Sequence, residues 1–319
     1  MPDPTPDPVR PGYRPYRATV TEVRRLSPHF VRVGFTGPDF VHFADHARDQ
    51  RVKVVFPTAD RCYADLGVDD EEALLRGDWY ARWRDLPDEH RSPFRTYTVR
   101  AVDPARRRVD IDFVAHTEAG RPVGPGSTWL HRASPGDDLI IVGPDARSAD
   151  SAGGMDWKPG TATELLLAGD ETAAPAIAGI LERLPAGCRA TALVEVPEPA
   201  DMLPIASAAD VDLRYLPRGG AAVGSLLVPA LHDWHGTHRK LVDAARAAGS
   251  QHLDDIDVDD QILWDSPEPE PTGDFYAWLA GEAAVIKQLR RLLVTDWGVD
   301  RRRVAFMGYW RKGLAERTC

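Results

Sequence analysis

The stretch TELLLAGDETAAPAIAGILERL, residues 163–184, runs an apolar, strand-length segment into Gly169 and Asp170 and then into helix-forming sequence from about Thr172 to Leu184. Further apolar runs follow at ATALVEV (190–196), VDLRYL (211–216) and FYAWLAG (275–281). The last of these leads into a helix, and RVAFMGYW (303–310) closes the series. Strand and helix in alternation predict a parallel sheet with helices on its faces. In the last helix Val285, Ile286, Leu289, Leu292 and Leu293 recur at helical spacing, which gives one apolar face and leaves Lys287, Arg290 and Arg291 largely off it.

Upstream the period is different. RATVTEV (17–23), FVRVGFTG (30–37), RVKVVFP (51–57), RTYTVR (95–100), RVDIDFVAH (108–116) and DDLIIVGP (137–144) are short alternating runs cut by Gly, Pro and Asp turns. They predict a six-stranded antiparallel barrel. A charged insert over residues 58–94, carrying some helix, reads as a surface excursion. The loop-like stretch 144–162 marks the change of period. The expected fold is thus a β-barrel plus an α/β domain: a Pro-rich lead-in over 1–15, a barrel domain over 16–150, and a parallel-sheet domain over 160–319. An acidic, proline-bearing excursion over 235–273 interrupts the second domain. A length of 319 residues agrees with two domains at about 150 residues each.

Composition narrows the function classes. Apolar residues make up 43% and charged residues 28%, the mix of a soluble globular chain. No long apolar run and no signal-like start are present, so a cytoplasmic protein without membrane insertion is expected. The formal charge of −10 argues against nucleic acid as a partner. Cys62, Cys188 and Cys319 are odd in number and far apart, so no disulfide framework or metal site is expected. Lysine is scarce, which singles out Lys53 in RVKVVFP, where Val52, Val54 and Phe56 face one side and Lys53 the other.

Several segments could carry chemistry. Arg95 and Tyr97 share a face of an extended strand with Thr98 beside them, a cation for a phosphate and a ring for a flat cofactor. A paired surface arginine and a core tyrosine fit the same spacing. In GRPVGPGSTWL (120–130), Gly124 and Gly126 precede Ser127 and Thr128. This reads as a loop entering a helix whose free N–H groups favour a pyrophosphate, or as a plain turn with Ser127 as N-cap. His116 ends its strand as a ligand or as a structural hydrogen-bonding group. Gly169, Asp170, Glu171 and Thr172 fall at the end of a parallel strand where such sheets bind ligands. Thr172 also reads as an N-cap. From Ala190 to Leu213 there is no Lys or Arg, while Glu195 ends its strand. A carboxylate there can accept from a ribose 2′-OH, so NADH is favoured over NADPH unless Arg214 or Arg218 folds back.

The ordered set RTYTVR, DFVAH, GPGSTWL, LLLAGDETAAPAIAGIL, WLAGEAAVIKQLRR and MGYWRKG, spread over residues 13–314, resembles the siderophore-interacting protein family. These are FAD-dependent ferric-siderophore reductases related in fold to ferredoxin-NADP reductases. The resemblance implies that Arg95 holds the FAD phosphates, that Tyr97 stacks on the isoalloxazine, and that Thr98 lies near its reactive edge. His116 and the backbone of Gly126, Ser127 and Thr128 would hold the rest, although the loop from His116 to Gly124 is longer than in many relatives. Gly169, Asp170, Glu171 and Thr172, with Gly281 and Glu282, would take the nicotinamide nucleotide. Lys53 and Arg311 would attract an anionic ferric siderophore. Tyr309 and Trp310 would shield the flavin or simply pack the last strand.

The implied activity passes electrons from NAD(P)H through FAD to the chelate and releases Fe(II). It needs positioning rather than an acid–base catalyst. A general NAD(P)H–flavin oxidoreductase serving another acceptor, such as a partner oxygenase, is the alternative enzyme. A non-catalytic siderophore-binding protein is the alternative from another class. A monomer is expected.

Overall fold

The computed structural model describes residues 9–58, 62–254, 256–258, 261–266 and 273–313. Most of the Pro-rich lead-in and part of the acidic excursion lie outside the described residues. The chain forms two compact units, one of residues up to Met155 apart from Ser27–His29, the other of Asp156 onward with that tripeptide.

In the first unit β1 (Tyr13–Arg25), β2 (Phe30–Thr36), β3 (Arg51–Val55), β4 (Phe94–Asp103) and β5 (Arg108–Val114) supply five barrel strands. The short hairpin β6 (Thr117–Glu118) and β7 (Arg121–Pro122) follows, and β8 (Asp138–Pro144) closes the barrel in the order β1-β2-β5-β4-β3-β8. Closure depends on β1. Its first half, Tyr13–Thr19, pairs with β8, and its second half pairs with β2 across a bulge between Val20 and Glu22. A bulge bends a strand, so one strand can serve two neighbours and leave no open edge.

Alternation along the strands divides the apolar side chains between two cores. Val52, Val54 and Phe56 lie inside with Val33, Phe35, Ile111 and Phe113. Val55, Phe94, Ile140 and Val142 instead face outward and are covered by Ala64, Leu66 and Trp83. Those covering residues belong to the charged insert, which carries α1 (Glu71–Arg76) and α2 (Trp79–Arg84). The insert is therefore a lid on the outer wall of the barrel. The Trp83 indole N–H, donating to the Ser92 carbonyl at 2.7 Å, shows how its one polar atom is satisfied in that buried position.

The second unit holds β9 (Glu164–Gly169), β10 (Arg189–Val196), β11 (Asp210–Pro217), β12 (Trp264–Asp265), β13 (Phe275–Glu282) and β14 (Val304–Trp310) in the order β11-β10-β9-β13-β14-β12. All pairings are parallel except that of β12 with β14, so the sheet is mixed only at that edge. The uninterrupted apolar run of β9 follows from its place near the middle. Leu165 and Leu167 pack on one face against α4 (Ala174–Leu181), and Leu166 and Ala168 on the other. That second face is covered by α5 (Leu227–Thr237), α6 (Arg239–Ala244) and α7 (Ala283–Arg290).

Two expectations change here. The stretch over 235–273 is more than an excursion, because it contributes α6, the edge strand β12 and the buried Val242, Ala245 and Leu263. Arg290, expected off the buried face, is 6% exposed and bonds the Asp265 carboxylate of β12 and the Asp254 carbonyl. A sparse set of apolar side chains in an acidic background was enough to build sheet.

Gly169 ends β9 where a Cβ would stand 2.4 Å from the Ala280 carbonyl oxygen of β13 and 2.5 Å from the Ala173 Cβ. Gly169→Ala should therefore overpack the sheet and destabilise the protein by about 1–3 kcal/mol, read as a lowered thermal unfolding midpoint. An unchanged midpoint would show that β9 and β13 can separate at no cost.

Candidate functional site

In the first unit, antiparallel pairing puts the start of β4 and the end of β5 at the same end of the barrel, and the end of β3 joins them, with Val55 opposite Phe94. The expected residues gather there. Arg95 and Tyr97 lie opposite Val54 and Val52, on the inward face. The half-buried Tyr97 ring packs 4.4 Å from Phe113 and 6.4 Å from Phe56, centroid to centroid. Alternation places Thr98 on the other face of β4, where it is 6% exposed, so its hydroxyl does not stand beside the Tyr97 ring.

The helix at this end, α3, spans Gly124–Leu130 and begins earlier than the Ser127 N-cap reading requires. Ser127 lies inside it, 7% exposed, and its Oγ accepts the His116 backbone N–H at 3.0 Å. Ser127 thus anchors the strand end that carries His116 and is not itself a cap. Thr128 is exposed on the same helix. The β6–β7 hairpin accounts for the length of the loop from His116, and the Val123 N–H closes it on the His116 carbonyl at 3.0 Å.

Gly124 has φ +79° and nothing within 4 Å of where a Cβ would stand, while at Gly126 a Cβ would meet the Tyr97 hydroxyl at 2.1 Å. The barrel end therefore offers a guanidinium, an imidazole, a half-buried aromatic ring and a helix start with glycine at its first and third positions. Those donors suit a cofactor with phosphates and a flat ring.

Lys53 sits across β3 from these groups, opposite Thr96, on the face away from Val52 and Val54 as the alternation assigned it. Its ammonium donates to Thr96 Oγ1 at 2.7 Å and lies 5.3 Å from the Phe94 ring centroid. These contacts orient the charge, and the side chain remains half-buried.

In the second unit the candidates collect at the carboxyl ends of the parallel strands. The order β10-β9-β13 shows why. The chain moves from β9 to one side and returns on the other, so β9 and β13 flank the switch point at which open sheets bind ligands. Asp170 follows β9 and is 1% exposed. Its Oδ1 accepts from the Thr172 N–H at 2.9 Å and the Thr172 hydroxyl at 2.5 Å, while Oδ2 accepts from the Glu282 N–H and the Trp310 indole N–H, each at 2.8 Å. Burial, with the neighbouring Glu171 charge adding to it, pushes the carboxyl up to about 7.

Thr172 is thus a donor to Asp170 and not an N-cap, and α4 starts two residues later. Gly281 has φ +151°, and a Cβ there would stand 2.7 Å from Asp170 Oδ2, so glycine leaves room for the carboxylate. Glu282 is the N-cap of α7, taking the Ala284 and Val285 N–H groups at 2.9 and 3.0 Å.

The Glu195 expectation is corrected. Glu195 is 0% exposed and accepts the backbone N–H groups of Gly224, Leu226 and Leu227 at 2.7, 2.9 and 3.1 Å. Its carboxylate secures the entry to α5 and has no face left for a ribose. Arg218, just beyond β11, pairs with both oxygens of the 2% exposed Glu171 at 2.7 Å and lies 4.0 Å from Glu195. Arg214 pairs with Asp212. Tyr309 stacks on Trp264 at 5.8 Å and meets Trp278 edge-on at 6.2 Å, so it packs the last strand. Arg311 follows β14 and is half-buried.

A closed antiparallel barrel with a glycine-headed helix at one end, followed by a largely parallel sheet with buried acids at its carboxyl strand ends, defines a protein of the ferredoxin reductase-like class. The ferredoxin-NADP+ reductase of Plasmodium falciparum shares this fold at a TM-score of 0.55 and 8% identity, covering 91% of this chain and 94% of its own. The chain belongs to the siderophore-interacting protein family. Residues 19–148 match the siderophore-interacting FAD-binding domain, and residues 162–313 match the siderophore-interacting protein model.

An uncharacterized protein of Mycobacterium tuberculosis is 34% identical over 95% of this chain and 93% of its own length. The ferric vibriobactin reductase ViuB of Vibrio cholerae is 25% identical over 91% of this chain and 87% of its own. A siderophore utilization protein from T. fusca superposes with a TM-score of 0.64 at 26% identity, covering 97% of both chains. Among the described residues no helix is long and apolar enough to cross a membrane.

If Tyr97 presents its ring to the flavin, Gly126→Ala, which must displace the Tyr97 hydroxyl, should lower flavin retention through purification. The flavin-to-protein absorbance ratio measures this. Adding Tyr97→Phe removes the clashing oxygen and should restore most of the loss. Failure of that rescue would separate the glycine from the ring.

Proposed function

We propose that this protein is a ferric-siderophore reductase that takes electrons from a nicotinamide nucleotide and delivers them to a ferric chelate. The observation that carries the reading is the barrel end, where Arg95, Tyr97, His116 and the glycine-headed α3 meet within a domain of the siderophore-interacting FAD-binding type. The likeness to a ferric vibriobactin reductase over most of both chains supports the acceptor.

The residues divide the work. Arg95 and His116 bind phosphate oxygens, and the first N–H groups of α3 add to them. The Tyr97 ring, held by Phe113 and Phe56, gives a flat apolar surface to orient a ring system. FAD bound there supplies the link between a two-electron donor and a one-electron acceptor. In balance, one NADH gives up two electrons and leaves NAD+ and one proton, and two ferric ions each take one electron to become ferrous. Hard oxygen ligands hold the larger, less charged Fe(II) less tightly, so reduction releases iron. Lys53 in the first unit and, separately, Arg311 in the second each bring positive charge that favours an anionic chelate on a chain of net charge −10.

The nucleotide end supports NADH as donor, for a reason other than the one the sequence offers. A 2′-phosphate requires an uncommitted cation, and at the strand ends Arg218 is already neutralised by Glu171. The catalytic efficiency with NADH should exceed that with NADPH, and Glu171→Gln should narrow the gap by releasing Arg218 from its bidentate partner. A wild-type preference for NADPH would sink this account of Arg218.

The activity itself is tested by anaerobic Fe(II) release from catecholate, hydroxamate and citrate chelates. Flavin bleaching by NADH should be reversed by at least one ferric chelate. Bleaching without reoxidation would leave a flavin reductase for another acceptor, and a protein that purifies without flavin would overturn the reading. Lys53→Ala should raise the chelate concentration needed for half-saturation about fivefold, the effect of losing roughly 1 kcal/mol of partly screened attraction. An equal loss in the rate of bleaching by NADH would contradict its role toward the chelate.

A further inference from the structure

The groups bonded to Asp170 come from three places that are distant in sequence. Thr172 belongs to the turn after β9, Glu282 ends β13, and Trp310 ends β14. All four bonding groups are donors, so a fully ionised carboxylate satisfies them and is satisfied by them. Glycine at position 281 keeps the space that this requires. A residue 1% exposed whose two oxygens are committed in this way offers nothing to a ligand, yet it stands at the switch point of the sheet.

We propose that Asp170 is a positioning residue: its carboxylate does not meet the nucleotide, but clamps the ends of β9, β13 and β14 and sets where the Trp310 indole stands at the ligand-binding edge of the sheet. The proposal deepens, and rests on, the reading that these strand ends receive the nicotinamide nucleotide.

The clamp has a protonation-dependent weakness. A proton on Oδ2 would face two N–H groups that cannot accept it and would displace one of them, while a proton on Oδ1 requires the Thr172 hydroxyl to turn and accept, and either change removes the charge that all four donors share. The charged groups nearby bear on that proton in opposite senses. Glu171 in the same turn favours it, and Arg218 beyond β11 opposes it, although Glu171 holds that arginine in a bidentate pair. Glu195 lies on the far side of Arg218, and Glu282 caps α7 with its own carboxylate. With the carboxyl pushed up to about 7, the Trp310 contact is held at higher pH and loosened as the pH falls through that value.

The experiment follows the indole N–H resonances of the nine tryptophans in ¹⁵N-labelled, flavin-loaded protein. Trp310→Phe identifies the resonance of Trp310. In the wild type that resonance should shift with a midpoint near 7. Asp170→Asn should move it and abolish the titration. Thr172→Val, which removes only a hydroxyl donor, serves if the asparagine variant does not fold, and it should change the midpoint.

A Trp310 resonance that ignores pH and both substitutions overturns the proposal. In kinetics, Asp170→Asn and Trp310→Phe should each raise the KM for NADH about tenfold, the worth of a hydrogen bond to a charged group. The double variant should be no worse than either, because the two act as one unit. Multiplying effects would show that Asp170 acts apart from Trp310. The resonance assay does not depend on any chelate being reduced, so loss of the reductase reading leaves the clamp separately decided.

Discussion

A carboxylate taken out of water must be surrounded by donors, and the second unit meets that demand repeatedly at one end of its sheet. Asp170, Glu171, Glu195 and Glu282 are 1%, 2%, 0% and 8% exposed. Each is held by donors from a segment other than its own strand: the Trp310 indole, the Arg218 guanidinium, the N–H groups leading into α5, and those of α7 together with Lys312. Leaving one such group unpaired costs several kcal/mol, so these acids act as staples whose loss would undo more than themselves. The strand ends where a nucleotide is expected are thereby fixed before any ligand arrives, which lowers the ordering cost of binding.

The same view explains what the sequence disclosed and what it hid. The six barrel strands were legible because alternation and turn residues are local signals. The parallel sheet was legible because β9 is apolar on both faces, and only a doubly covered strand carries a run such as Leu165–Ala168. The acids were recognised as a group at the strand ends, but their individual roles were not. Nothing near Glu195 announces that its partners lie 29 to 32 residues away in the loop before α5.

Ser127 misled in a smaller way. Its place after two glycines looks like a cap, yet the positive φ that starts the helix belongs to Gly124. Arg290 misled because helical periodicity assigns faces, and the edge strand β12 that binds it was read as part of an excursion. The partial signal that was available was Ile262, Leu263 and Trp264, three large apolar residues in a row within a stretch rich in acids.

The first unit solves a different problem. A barrel has two surfaces, and here both carry apolar side chains. Val54 points in and Val55 points out, and the insert with Trp83 is required to cover the second set. The strands that present Arg95 and Tyr97 on one face and Lys53 on the other are thus braced from both sides. Side chains held this way keep their geometry when a ligand arrives, which is what positioning without acid–base catalysis demands.

The sheet of the second unit ends at β11, beside whose far side the sheet order places no further strand among the described residues. Such a border is a template on which another copy of the chain can add a strand, and repetition of that step leads to aggregates. Asp210, Asp212 and Arg214 are exposed at alternate positions along it, with Arg214 bound to Asp212. An incoming strand would have to strip water from that charged row. That cost disfavours edge-to-edge pairing of one copy with another.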